Sequence, residues 1–138
     1  MHTETAKAPE ATTFEQSYRG MADQVRRVRA DLALIVAGCP VADALVLLAS
    51  ELATNAILHS HSGHPDGTFT VRATLYPGYY AWVEVVDQGG PWINDEYDDE
   101  HGRGLSIVAA IAGDDNWGVE AELASRVVWF RLDWDQAD

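Results

Sequence analysis

The sequence predicts an α+β fold: a two-layer sandwich with helices on one face of a mostly antiparallel, mixed sheet. Three observations carry this prediction. Apolar residues recur at three- and four-residue spacing from Arg19 to about Ser60, then at every second residue from Phe69 to Val86 and again near the C-terminus. Turn-forming clusters, Gly38-Cys39-Pro40, Gly63 to Gly67 and Pro77-Gly78, separate these stretches. The resulting order is two helices, a hairpin, a loop, a helix and a second hairpin, whose apolar faces are most simply buried by laying helices on a sheet.

Residues 1–12 are polar, without periodicity, and read as a loose arm, with an edge strand expected around Thr13 to Ser17. From Arg19 onward Met21, Val25, Val28, Leu32 and Ile35 follow a helical period. A second helix runs from about Val41 to Ser60 and is apolar on most of its circumference. Phe69, Val71, Ala73 and Leu75 then alternate with polar neighbours, Pro77-Gly78 turns the chain, and Tyr80 to Val86 returns as the partner strand. An acidic stretch, Asn94 to Glu100, has neither period. Gly102 to Gly104 opens a short apolar helix, Leu105 to Ala112. Two closing strands are expected at about Asn116 to Leu123 and Val127 to Trp134.

Length and composition narrow the function. At 138 residues the chain accommodates one domain, placed at residues 13–138. Its 22 acidic residues outnumber 9 basic ones, for a formal charge of −13, which argues against direct nucleic-acid or anionic-membrane binding. Apolar stretches such as Ala44 to Ala49 are too short to span a bilayer, and the first residues lack the apolar core of a signal peptide. Cys39 is a lone cysteine, read as a small apolar filler. A cytoplasmic protein is expected.

The second helix carries an anomaly. Ser50, Glu51, Thr54, Asn55 and His59 share one stripe. Glu51 is the only charged residue between Ala44 and Leu58, and no Lys or Arg occurs between Arg29 and Arg72. A solvated face usually carries several long charges of both signs. This stripe is compatible with water, but equally with a bound polar ligand. Further on, Asp87 ends an apolar strand and is followed by Gly89 and Gly90. A carboxylate there can accept from a ligand's amino group, and glycine lets a flat ring approach the backbone. Gly102, Arg103 and Gly104 precede Leu105 at a helix start, where free N–H groups form an anion site. Together these supply an amino-group acceptor, a phosphate cradle and an amide suited to magnesium, which points to ATP.

Glu51-Leu52-Ala53-Thr54-Asn55-Ala56, Asp87-Gln88-Gly89-Gly90-Pro91 and His101-Gly102-Arg103-Gly104-Leu105 resemble the three ATP boxes of the gyrase, heat-shock chaperone and histidine kinase superfamily, which has the Bergerat fold. Within it, the short length and the ending Val128-Trp129-Phe130 look most like the bacterial anti-sigma-factor serine kinases. The resemblance implies that Asn55 binds the magnesium ion bridging the phosphates and that Glu51 is the general base. It implies that Asp87 accepts the adenine amine with Gly89 beneath the ring and Gly90 beside it in the nucleotide site, and that Gly102, Arg103, Gly104 and Leu105 hold the phosphates. His59 would neighbour the pocket, and Asn94 to His101 would form the ATP lid. The implied activity is protein serine/threonine phosphorylation with ATP and Mg2+. The implied partners are a sigma factor and a STAS-domain antagonist, and a homodimer through the first helix and sheet edge is compatible with the pattern. The alternative is an ATP-binding module that regulates a protein partner without chemistry.

Two features depart from the family. Its usual Gly-Lys-Thr before the last strand corresponds here to Ser125-Arg126-Val127, so the threonine hydroxyl that supports adenine recognition is absent. The lid is also strongly acidic, with Asp95, Glu96, Asp98, Asp99 and Glu100. Elsewhere His59, His61 and His64 invite a metal reading, but no cysteine lies nearby and the segment is a helix end entering a turn. Arg26, Arg27 and Arg29 read as a solvated face, with docking of an acidic partner as the sharper possibility. The five tryptophans read as core or rim residues.

Overall fold

The computed structural model describes residues 11–90, 99–122 and 124–137. Among the described residues, five strands and three helices follow one another as β1 (Thr12–Arg19), α1 (Gln24–Ile35), α2 (Ala42–His59), β2 (Thr68–Tyr76), β3 (Tyr80–Asp87), α3 (Asp99–Ala112), β4 (Trp117–Ala121) and β5 (Arg126–Asp133). A 3-10 turn at His61–Gly63 follows α2, and another, Trp134–Ala137, follows β5. The sheet order is β1-β2-β3-β5-β4. Every pairing in it is antiparallel, so the expected mixed character is absent from the described sheet. The α+β class stands.

Alternation in the strands becomes a two-sided sheet. Phe69, Val71, Ala73 and Leu75 of β2, Ala81, Val83 and Val85 of β3, and Val128, Phe130 and Leu132 of β5 are buried. The residues between them are half-buried or exposed. The inner face packs on Leu45, Leu48, Ala49, Leu52, Ala53 and Ala56 of α2, which touches β2, β3, α1 and α3 and is the central helix. Val28 and Leu32 of α1 and Val108 and Ala112 of α3 complete this layer. Cys39 is half-buried and packs against the core, where burial pushes its thiol pKa up. On the outer face Trp82 stacks on Trp129 with ring centroids 4.4 Å apart, and Gly118, paired across from Trp129, leaves room for the indole.

Helix α1 starts at Gln24 rather than Arg19. The Gly20 N–H donates to the Gly67 carbonyl at 2.9 Å, and a Cβ on Gly20 would overlap the Ser62 carbonyl oxygen. The end of β1 is therefore pinned against the turn after α2, and Met21 is exposed beside it. Strand β4 stops at Ala121 because the Glu122 N–H closes a turn onto the Ser125 carbonyl at 2.8 Å. The expected end of that strand, Leu123, lies outside the described residues. Helix α3 begins at Asp99 rather than Leu105, so Gly102, Arg103 and Gly104 lie within the helix instead of ahead of it. Acidic types such as Asp99 and Glu100 are well suited to the early part of a helix, and the two glycines do not interrupt it.

Candidate functional site

The polar stripe of α2 divides by burial. Ser50 and Thr54 return their hydroxyls to their own helix, donating to the Leu47 carbonyl at 2.7 Å and the Ser50 carbonyl at 2.9 Å. They serve the helix backbone. Asn55 is buried, while Glu51 and His59 are half-buried and Thr54 is exposed. Glu51 and Asn55 stand one turn apart on the central helix, a carboxylate and a carboxamide on neighbouring positions. Their oxygens are the hard donors that magnesium takes, so the donor set fits that ion.

The end of α2 is tied to the end of β3. Ser60 donates to the Ala56 carbonyl at 2.6 Å and accepts the Ser62 N–H at 3.0 Å, which turns the chain sharply. The His61 N–H then donates to the Gly89 carbonyl at 2.7 Å, and the buried Ser62 hydroxyl accepts the Gln88 N–H at 3.0 Å. Gln88 in turn accepts the Thr68 N–H at 2.9 Å. Gly89 and Gly90 both have positive φ, 69° and 133°, a backbone that side chains rarely adopt. At Gly90 the His61 ring closes over the space a side chain would fill. The strand end Asp87 to Gly90 is thus fixed relative to the helix bearing Glu51 and Asn55.

Asp87 faces inward and is 2% exposed. Its Oδ1 accepts the Gly89 N–H at 2.8 Å, and its Oδ2 accepts from Arg126 Nε at 2.7 Å and lies against Arg126 Nη2. Arg126 is 0% exposed, and the two residues are direct partners in the β3–β5 register. Burial raises the Asp87 pKa and lowers that of Arg126, while each charge acts to hold the other ionised. Removing one partner of such a pair leaves a buried charge uncompensated, at a cost of about 3–5 kcal/mol.

This pairing corrects the reading of Ser125-Arg126-Val127. The residue facing Asp87 is Arg126, whereas Val127 points to the outer side of the sheet opposite Val86. The strand period held the signal: Arg126 shares parity with Val128, Phe130 and Leu132, and Asp87 shares it with Ala81, Val83 and Val85. Two inward charges at paired strand ends have one another as the natural partner.

Of the remaining candidates, the backbone of Gly102, Arg103, Gly104 and Leu105 lies in α3. Gly104 and Leu105 thus do not open the helix, which is already formed at Asp99. The side chains of residues 99–104 and the whole of 91–98, including most of the expected lid, Pro91 and Trp92, lie outside the described residues. The His61 and His64 rings stand 4.8 Å apart, tilted, with His59 at the end of α2. A cleft of about 380 Å³ at the other end of α2 is lined by Cys39, Pro40, Asp43, Ile111 and Leu132. Its single acid offers no set for a base or a triphosphate. Among the described residues no helix is long and apolar enough to cross a membrane.

The model of one protein family, described as a histidine kinase-like ATPase domain, matches residues 18–130. No curated protein matches the chain.

Proposed function

Because the chain belongs to the histidine kinase-like ATPase domain family, whose members bind ATP with Mg2+, we propose that it is an ATP-dependent protein serine/threonine kinase of the anti-sigma type. It would hold a sigma factor and phosphorylate a STAS-domain antagonist, acting in the cytoplasm without contacting nucleic acid. The observation that carries this reading is the placement of Glu51 and Asn55 one turn apart on α2, with the exit of that helix bonded to the glycines after Asp87.

In this reading the Asn55 carboxamide holds the metal and the Asp87 carboxylate receives the base amine. Magnesium, when bound, supplies charge neutralisation between the phosphates. Glu51 takes the proton from a serine hydroxyl as its oxygen attacks the γ-phosphorus, and ADP departs with the electrons of the broken bond. Phosphoryl transfer depends chiefly on positioning and charge, so the rigid tie between α2 and the β3 end is the feature that matters.

Transfer of labelled γ-phosphate to a STAS-domain protein tests the reading. Glu51→Ala is expected to lower transfer by at least a hundredfold, within the usual range for a general base, while leaving ATP affinity within a few-fold. Transfer by the variant at the wild-type rate contradicts the assignment of Glu51. A second reading, a regulatory module that binds ATP without chemistry, is favoured by the engagement of Asp87 with Arg126. Tight Mg-ATP binding with neither hydrolysis nor transfer selects it.

A further inference from the structure

Ser62 is 0% exposed, in the 3-10 turn that leaves α2. Gly20 and Gly67 approach its carbonyl so closely that neither could carry a Cβ, so main chain hems in its backbone. Its N–H donates to Ser60 Oγ at 3.0 Å. Its hydroxyl reaches across to the sheet and accepts the Gln88 N–H at 3.0 Å.

Beside this contact the His61 N–H donates to the Gly89 carbonyl at 2.7 Å. That bond joins main chain to main chain and does not depend on a side chain. The Ser62 bond does. Serine is the smallest side chain that brings an acceptor to this point; alanine brings none, and a larger group overpacks a fully buried position. Gln88 stands between Asp87 and Gly89, so holding its amide holds the carboxylate on one side and the positive-φ glycine on the other. Asp87 Oδ1 accepts the Gly89 N–H at 2.8 Å, which makes the segment one unit.

We propose that Ser62 is a positioning residue for the nucleotide: its hydroxyl holds the segment from Asp87 to Gly90 at a set distance from α2. The group that receives the base and the group that holds the metal are thereby kept in register. The inference rests on the reading that Asp87 meets the base and Asn55 the metal. Ser62 acts through the Gln88 backbone and need not touch the ligand.

Calorimetric titration of wild type and Ser62→Ala with ATP, with and without magnesium, tests this, with folding followed by circular dichroism. Loss of the one hydrogen bond is expected to weaken ATP binding about five- to tenfold. The factor by which magnesium strengthens binding is expected to stay the same, because Asn55 lies on α2, which the substitution leaves in place. A merely structural role would lower the melting temperature without changing affinity well below it, or would loosen α2 and erode the magnesium factor too. A folded Ser62→Ala that binds ATP as the wild type does, or that loses affinity and magnesium factor together, overturns the proposal. Amide hydrogen exchange of the wild type is the second measurement and needs no variant. Gln88 is exposed, yet its amide is expected to exchange at least about tenfold more slowly than an unbonded surface amide. Exchange there at the unprotected rate overturns the proposal. Failure of the wild type to bind ATP at all instead overturns the reading of the site, and this inference with it.

Discussion

Tyr18 shows how one residue joins two layers. Its hydroxyl donates to Asp31 Oδ2 at 2.7 Å, linking β1 to α1, and its ring stacks on Phe69 of β2 at 5.5 Å between centroids. Burial, followed by the hydrogen bond to Asp31 and its charge, pushes the Tyr18 pKa well above the ordinary value. A raised tyrosine pKa means that the folded state holds the proton more tightly. The associated stability is complete below about pH 10, the unfolded value, and falls as pH rises beyond it. Tyr18→Phe is expected to cost about 1.5–3 kcal/mol at pH 7, the worth of a hydrogen bond to a charged acceptor. It is also expected to show a smaller loss of stability between pH 9 and 11 than the wild type, measured by urea unfolding. An equal alkaline loss in both proteins would assign that loss to other groups. At the same scale, Glu51, Asn55 and Asp87 stand out in the sequence because each is a polar residue in an apolar run. Arg126 is harder to see, since a cation beside a turn looks like an exposed residue until its parity in the strand is counted.

At the scale of elements, the turn between α2 and β2 organises the site more than any single strand does. Gly20, Gly63 and Gly67 all crowd backbone there: a Cβ on Gly20 or Gly67 would overlap the Ser62 carbonyl oxygen, and one on Gly63 the Ile57 carbonyl oxygen. Because these neighbours are main-chain atoms, they cannot yield as a side chain would. Gly67→Ala is expected to destabilise the fold by about 1–3 kcal/mol, the usual cost of overpacking. Thermal melting checks this, and a melting temperature equal to wild type would show that the turn can shift. The core of each element was legible from period alone, as in α2, whose expected span of Val41 to Ser60 differs from Ala42–His59 by one residue at each end. The ends that were not legible depend on remote contacts. The start of α1 is set by Gly20 meeting a turn more than forty residues later, which no local pattern encodes. Helix α3 includes Asp99 and Glu100, acidic types that suit an early helical turn as well as they suit a loop.

At the scale of the molecule, one layer of helices covers one face of an antiparallel sheet, and the central helix bears Glu51 and Asn55 on its polar stripe. The net charge of −13 opposes a triphosphate at long range, so affinity for one must come from local groups and a bound cation. The central claim is that Glu51, Asn55 and Asp87 serve one magnesium nucleotide. Calorimetric titration of wild type, Asn55→Ala and Asp87→Asn with ATP, with and without magnesium, tests it most directly. The account predicts saturable binding by the wild type that magnesium strengthens, loss of that strengthening in Asn55→Ala, and a weakening of about tenfold or more in a folded Asp87→Asn. Absence of binding by the wild type, or Asn55→Ala and Asp87→Asn binding Mg-ATP as the wild type does, would contradict it.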